Sequence, residues 1–175
     1  MKEYTPIRKT IQGMSNVIVA IALAWFIVHS FLGQEIVSGH SMEPTLSAEE
    51  LVLVDTLVYK LFPPGRLDIV VFQRNDSREN VKRVVGLPGE TVVIQNGHIY
   101  INGSLLKSDR ISEISLAGIA ENPVELMEDE YFLIGDNPNS SEDSRFVNVG
   151  NVRRQQIIGK VWFRLQPFKK TGPVH

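Results

Sequence analysis

Two short segments carry residues with a chemical use. Ser41 lies in Ser38-Gly-His-Ser-Met-Glu-Pro-Thr-Leu46, with Gly39 two residues before it and Pro44 three after it. Lys82 lies in Val81-Lys-Arg-Val-Val-Gly-Leu-Pro-Gly-Glu90, among β-branched residues and ahead of a rigid corner. A serine hydroxyl is a weak nucleophile until a base takes its proton, and a lysine is such a base only when neutral near working pH. Burial produces that state, because the ammonium loses solvation while the neutral amine loses little. Each residue also has a plainer use: a serine in a Gly/Pro-rich turn serves the turn, and a strand lysine snorkels to solvent. On local sequence alone, both uses stay open.

Other chemistries are poorly supplied. The 175 residues contain no cysteine, which removes disulfides, thiolate metal sites and a cysteine nucleophile. Four histidines are scattered as His29, His40, His98 and His175. His40 directly precedes Ser41, and neighbouring side chains of an extended chain point to opposite faces, so it is a poor base for that serine. No metal or cofactor is expected. The loop Asp136-Asn-Pro-Asn-Ser-Ser-Glu-Asp-Ser-Arg145 is rich in carboxylates, but it lacks the sixth-position glycine and terminal glutamate of a calcium loop and reads as a self-bonded turn. A net charge of −2, from 18 basic and 20 acidic residues, offers no footprint for nucleic acid, and 43% apolar residues exclude disorder.

The elements that must position these residues fall into two parts. Thr10 to Gln34 holds no charge, and Ile11 to Leu32 as a helix extends roughly 33 Å, enough to cross a bilayer core. Lys2, Arg8 and Lys9 precede this run and Glu35, Glu43, Glu49 and Glu50 follow it. The reading is therefore a cytoplasmic N-terminus over 1–10, a transmembrane helix over 11–33 and an extracytoplasmic domain over 34–175. A cleavable signal peptide is the competing reading, with Val28-His-Ser30 as its junction; apolar character resuming at Phe31-Leu32 favours an uncleaved anchor. His29 is expected among the headgroups.

The remainder reads as mainly β, in small antiparallel sheets or a distorted barrel. Val52–Val54, Asp68–Phe72, Val81–Val85, Tyr131–Ile134 and Ile157–Phe163 are short β-branched or aromatic runs bounded by turn residues. Thr91–Gln95 and His98–Ile101 are joined by Asn96-Gly97, a hairpin signal, and Asn102-Gly103 marks a second turn. Residues 104–129 are polar and irregular and are expected to form a variable cap or insertion.

In this order and spacing the segments resemble the bacterial type I signal peptidases, membrane-bound serine proteases with a Ser-Lys dyad, of the compact type found in Gram-positive bacteria. The resemblance runs through the anchor, Gly39-His-Ser-Met-Glu-Pro-Thr45, Gly65-Arg-Leu-Asp-Ile-Val-Val-Phe72, Lys82-Arg-Val-Val-Gly-Leu-Pro-Gly-Glu90 and Gly135-Asp-Asn-Pro-Asn-Ser-Ser-Glu-Asp-Ser-Arg145. It implies that Ser41 is the nucleophile and Lys82 the general base. Ser141 would orient the lysine, and Asp143 and Arg145 would hold the catalytic core together. Arg83 should point away from the base along its strand. Gly39 stands where some members have an oxyanion-binding hydroxyl, so the oxyanion hole would rest on backbone N–H. Pro138 stands where an arginine is common.

The substrates implied are secretory preproteins, cut just outside the cell membrane after small residues at the first and third positions before the scissile bond. An extended substrate would lie near Glu35 to Gly39, with Val37, Met42, Leu46 and Val81 expected around two shallow pockets. Trp162, Phe163 and Phe168 are candidate contacts with the lipid surface or ordinary core and tail residues. The alternatives are a self-cleaving repressor-type Ser-Lys peptidase, which would need a DNA-binding module ahead of Ser41, and an inactive membrane-tethered β binding module, which would have lost its serine or lysine.

Overall fold

A computed structural model describes residues 4–175; the side chains at 4–7, 24 and 26–31, including His29, lie outside the described residues. Helix α1 (Tyr4–Phe31) leads directly into β1 (Leu32–Ile36). There follow β2 (Leu51–Asp55), a single turn α2 (Val58–Leu61), β3 (Ile69–Gln73), β4 (Glu79–Gly86), β5 (Thr91–Gln95), β6 (His98–Ile101) and β7 (Ser104–Leu105). The chain ends with β8 (Val124–Glu125), β9 (Glu130–Ile134), β10 (Val152–Arg153), β11 (Ile157–Gln166) and β12 (Gly172–Pro173). The fold is mainly β and antiparallel.

The larger sheet runs β1-β2-β11-β3-β4-β9-β10, with β12 added to β11, and the smaller runs β7-β6-β5-β8. The Asn96-Gly97 signal is a two-residue turn with φ of 50° and 77°, joining β5 to β6. Strand β4 is buried from Val81 to Gly86, its two faces feeding different parts of the core. Val81 packs with Val37, Met42, Leu46, Val52 and Ile69, whereas Val84 packs with Val70, Phe72 and Leu133. The lysine on this strand is buried, with β3 beside it.

Two expectations change here. The helix ends at Phe31, so Leu32 and Gly33, which the sequence reading places in the apolar span 11–33, belong to β1 and pair with Asp55 and Val54 of β2. Apolar side chains serve a sheet as well as a bilayer, and the sequence shows no break between the two uses. Residues 104–129 are more than a peripheral cap: Ile114, Ala120 and Leu126 are buried with Val85, Val92 and Phe132 in the core of the smaller sheet. Among the described residues no helix is long and apolar enough to cross a membrane.

Candidate active site

The turn that carries Ser41 is fixed from below. Leu46 N–H closes on the carbonyl of Met42 at 2.8 Å, and both side chains are fully buried, which leaves Ser41 on the outer side of the turn. Asn137 holds the same turn from the other flank: its N–H donates to the Ser41 carbonyl at 2.9 Å and its side-chain amide to the His40 carbonyl at 3.3 Å. Lys82 arrives from β4, opposite Val70 of β3. Its Nζ donates to Ser41 Oγ at 2.9 Å and to its neighbour's carbonyl, Val81 O, at 3.0 Å.

Lys82 is 4% exposed. Burial pushes its amine down to about 8, helped by the Arg74 guanidinium, against the opposing pull of Asp143, Glu142 and Asp136. Near neutrality an appreciable fraction is therefore unprotonated, and the same 2.9 Å vector then lets Ser41 donate its proton to nitrogen. Such an arrangement can activate a serine hydroxyl as a nucleophile.

Two buried ion pairs brace this site. Arg145 grips Asp143 through Nε to Oδ1 at 2.7 Å and Nη2 to Oδ2 at 3.0 Å, and also donates to the carbonyls of Leu116 and Pro138. Arg83 grips Asp136 with two contacts of 2.7 Å and donates to the Leu67 carbonyl, on the face of β4 away from Lys82. Thr45, near the end of the serine turn, donates to the same Asp136 carboxylate. Removing one partner of such a pair strands a buried charge and costs about 3–5 kcal/mol. The carboxylates of Asp136 and Asp143 thus serve the two arginines.

Two assignments read from sequence meet a different geometry. Ser141 donates its hydroxyl to Asp143 Oδ2 at 2.7 Å, and among the described residues Lys82 has Ser41 and the Val81 carbonyl as its partners instead. A hydroxyl that donates to a carboxylate keeps its own acceptor lone pairs. Val37, Met42, Leu46 and Val81 do share one cluster beneath the serine, but at 0–7% exposure they form a floor and present little surface to a substrate. Among the residues that reasoning from sequence left without a role are Asp136, Thr45, Asn137 and Gly135. A Cβ on Gly135 would lie 2.4 Å from both the Ser41 carbonyl oxygen and Ser141 Oγ, so only glycine lets these two segments meet.

The family model for signal peptidase, peptidase S26, matches residues 10–166. The chain belongs to this family. A signal peptidase I of Leptolyngbya laminosa is 36% identical over 173 residues, covering 94% of this chain and 80% of that protein. A probable signal peptidase I-2 of Synechocystis is 31% identical, covering 91% and 72%. Signal peptidase I S of Bacillus subtilis is 33% identical, covering 93% and 92%. As a member of the signal peptidase family the chain is a serine peptidase, a hydrolase, and the matched span contains Gly39, Ser41, Lys82, Ser141, Asp143 and Arg145.

Proposed function

We propose that the chain is a membrane-anchored signal peptidase I that removes signal peptides from secreted preproteins with a Ser41-Lys82 dyad. The observation that carries this reading is the buried Lys82 amine 2.9 Å from Ser41 Oγ. Neutral Lys82 takes the hydroxyl proton as Oγ attacks the scissile carbonyl, then returns it to the leaving amine. The acyl-enzyme is cleared by a water that Lys82 deprotonates. The Ser41 N–H makes no hydrogen bond among the described residues, which leaves it free to receive the oxyanion. Asp143 and Arg145 hold the frame.

The substrate fits as an added strand. β1 is the outermost strand of its sheet, and Glu79–Lys82 of β4 pair with β3 alone, since β9 joins only from Arg83. Burial, and to a lesser degree the charge of Glu79, raise the Glu35 carboxyl. An extended peptide lying there presents alternate side chains to the floor formed by Val37, Met42, Leu46 and Val81. A packed floor accepts alanine-sized residues at −1 and −3 and excludes larger ones sterically.

Anchoring is supported by the sequence run Val17–Val28 and by the exposure of Ile11, Met14, Ile18, Ile21 and Trp25 along α1. The basic residues Lys2, Arg8 and Lys9 support a cytoplasmic start and a catalytic domain outside. Exposed Trp162 and Phe168 suit contact with the bilayer surface. The test is incubation of the detergent-solubilised chain with a labelled preprotein, with the cut mapped by mass spectrometry. Cleavage after a small residue supports the reading. Intact preproteins beside a folded enzyme in lipid would turn it toward a binding module.

The geometry reverses one intuitive improvement. Placing a hydroxyl two residues before the nucleophile, by Gly39→Ser, looks like a gain of an oxyanion donor. Gly39 has φ +74°, where an L-residue is strained by about 1–2 kcal/mol, although nothing lies within 4 Å of the added Cβ. Gly39→Ser is expected to lower the melting temperature by a few degrees and to leave single-turnover cleavage no faster than the parent.

A further inference from the structure

The hairpin that delivers Lys82 carries a second cation on the same face. Opposed residues of an antiparallel pair share a face, so the pairs Val70↔Lys82 and Phe72↔Asn80 put the even-numbered residues of β3 on the lysine's side. Arg74 continues that row one residue past β3, where its N–H closes the hairpin on the Arg78 carbonyl at 2.8 Å. It is 7% exposed, and its Nη1 donates to Glu142 Oε2. Asn148 Nδ2 donates to the other oxygen of Glu142. The Nε of Arg74 is buried with no hydrogen bond, Asp76 lying 3.7 Å away. A buried guanidinium with an unused donor is costly for stability. Its partner Glu142 stands between Ser141 and Asp143 in the chain.

We infer that the Arg74–Glu142 pair positions the catalytic base, strapping the hairpin that carries Lys82 to the segment that carries Ser141 and Asp143 and balancing the charge that Lys82 faces. This rests on Lys82 serving as the base of Ser41. Four charged groups act on the protonation of the amine: Asp143 and Asp136 after β9, Glu142 beside them, and Arg74 at the end of β3. Burial has the largest influence and Arg74 acts in the same direction, whereas the three carboxylates oppose them. The bonds from Arg74 and Asn148 hold the Glu142 carboxyl below its ordinary range, which keeps it ionised. Arg74 touches no reacting atom; it is a positioning residue.

The experiment uses the full chain in detergent and follows two readouts across pH 6–10: preprotein cleavage, and the NMR titration of 13C-labelled lysine with Lys82→Ala as the assignment control. Arg74→Gln is expected to move both midpoints upward by roughly half a unit to one unit and to slow cleavage at pH 8 severalfold with KM little changed. Glu142→Gln should move them downward, and Arg74→Lys should restore the parent profile. Midpoints that stay at the parent value in both neutral variants, or that move the same way, would overturn the inference. If Arg74→Gln does not fold, Glu142→Gln decides through the direction of its shift, because its side chain is half exposed. A parent that cleaves nothing defeats the dyad reading, while the lysine titration still reports whether the pair acts on Lys82.

Discussion

Lys82→Met is expected to abolish turnover and, at neutral pH, to make the protein more stable. In the proposed dyad Ser41 and Lys82 act as a unit, so loss of either member should cost on the order of 10⁴-fold or more in kcat. The stability effect follows from burial. The folded-state amine titrates at about 8, below its unfolded value near 10.4. Below pH 8 both states carry the proton, and the folded state bears the cost of enclosing it. Between the two values the unfolded chain binds more protons, so the parent gains stability as pH rises through that window. The full swing is roughly 3 kcal/mol at 1.36 kcal/mol per unit, of which the variant loses part by leaving the Val81 carbonyl without its donor. Thermal melts should therefore show Lys82→Met above the parent at pH 7, with the gap closing by pH 10. Ser41→Ala should be equally inactive without that pH-dependent gain. Substantial cleavage by either variant would remove the dyad from the account.

Gly135→Ala should cost at least 100-fold in kcat with a far smaller change in KM. The added Cβ would meet the Ser41 carbonyl oxygen and Ser141 Oγ, both at 2.4 Å, and Ser141 Cβ at 2.7 Å. The serine hydroxyl can rotate away, but the Ser41 carbonyl is backbone held by the Asn137 N–H. Relief therefore comes from moving the Ser41 turn, and a displacement of about 1 Å is enough to lose the alignment with Lys82. Overpacking of this kind costs about 1–3 kcal/mol in stability. Adding Ser141→Gly removes the side-chain collision and leaves the backbone one, so the double variant should regain stability without regaining rate. Steady-state kinetics and melts on the two variants check both parts, and a parental kcat in Gly135→Ala would show that the segments can separate without harm.

Seven of the strands were legible because their signals are local. β-branched runs bounded by turn residues gave β2, β3, β4, β9 and β11, and Asn96-Gly97 gave the β5–β6 hairpin. The end of α1 was not, since Leu32 is as apolar as the residues before it and nothing in the sequence says that it pairs with Asp55. Residues 104–129 hid Ile114, Ala120 and Leu126 among polar neighbours at irregular spacing, with no period to mark a buried face.

The site divides in the same way. Taken alone, Ser41 is a turn serine and Lys82 a strand lysine; only the resemblance across the chain made them a pair, and the fold brings them to 2.9 Å. The partners of the buried charges depend on contacts 53 residues apart for Arg83 and Asp136 and 68 apart for Arg74 and Glu142, which no local pattern encodes. Ser141 shows what position alone does not tell: its type matches, but that its hydroxyl donates to the carboxylate two residues along is visible only in the fold.

The most direct test of the dyad is the pH dependence of single-turnover preprotein cleavage from pH 6 to 10, for the parent and Lys82→Ala. With Lys82 as the base, the parent rate follows the unprotonated amine, rising about tenfold per unit below a midpoint near 8 and levelling above it, because neutral Lys82 is lost as pH falls through that value. The alanine variant should remain at background throughout. A parent rate that is flat over this range, or that climbs on acidification, would contradict the assignment of Lys82 as the general base.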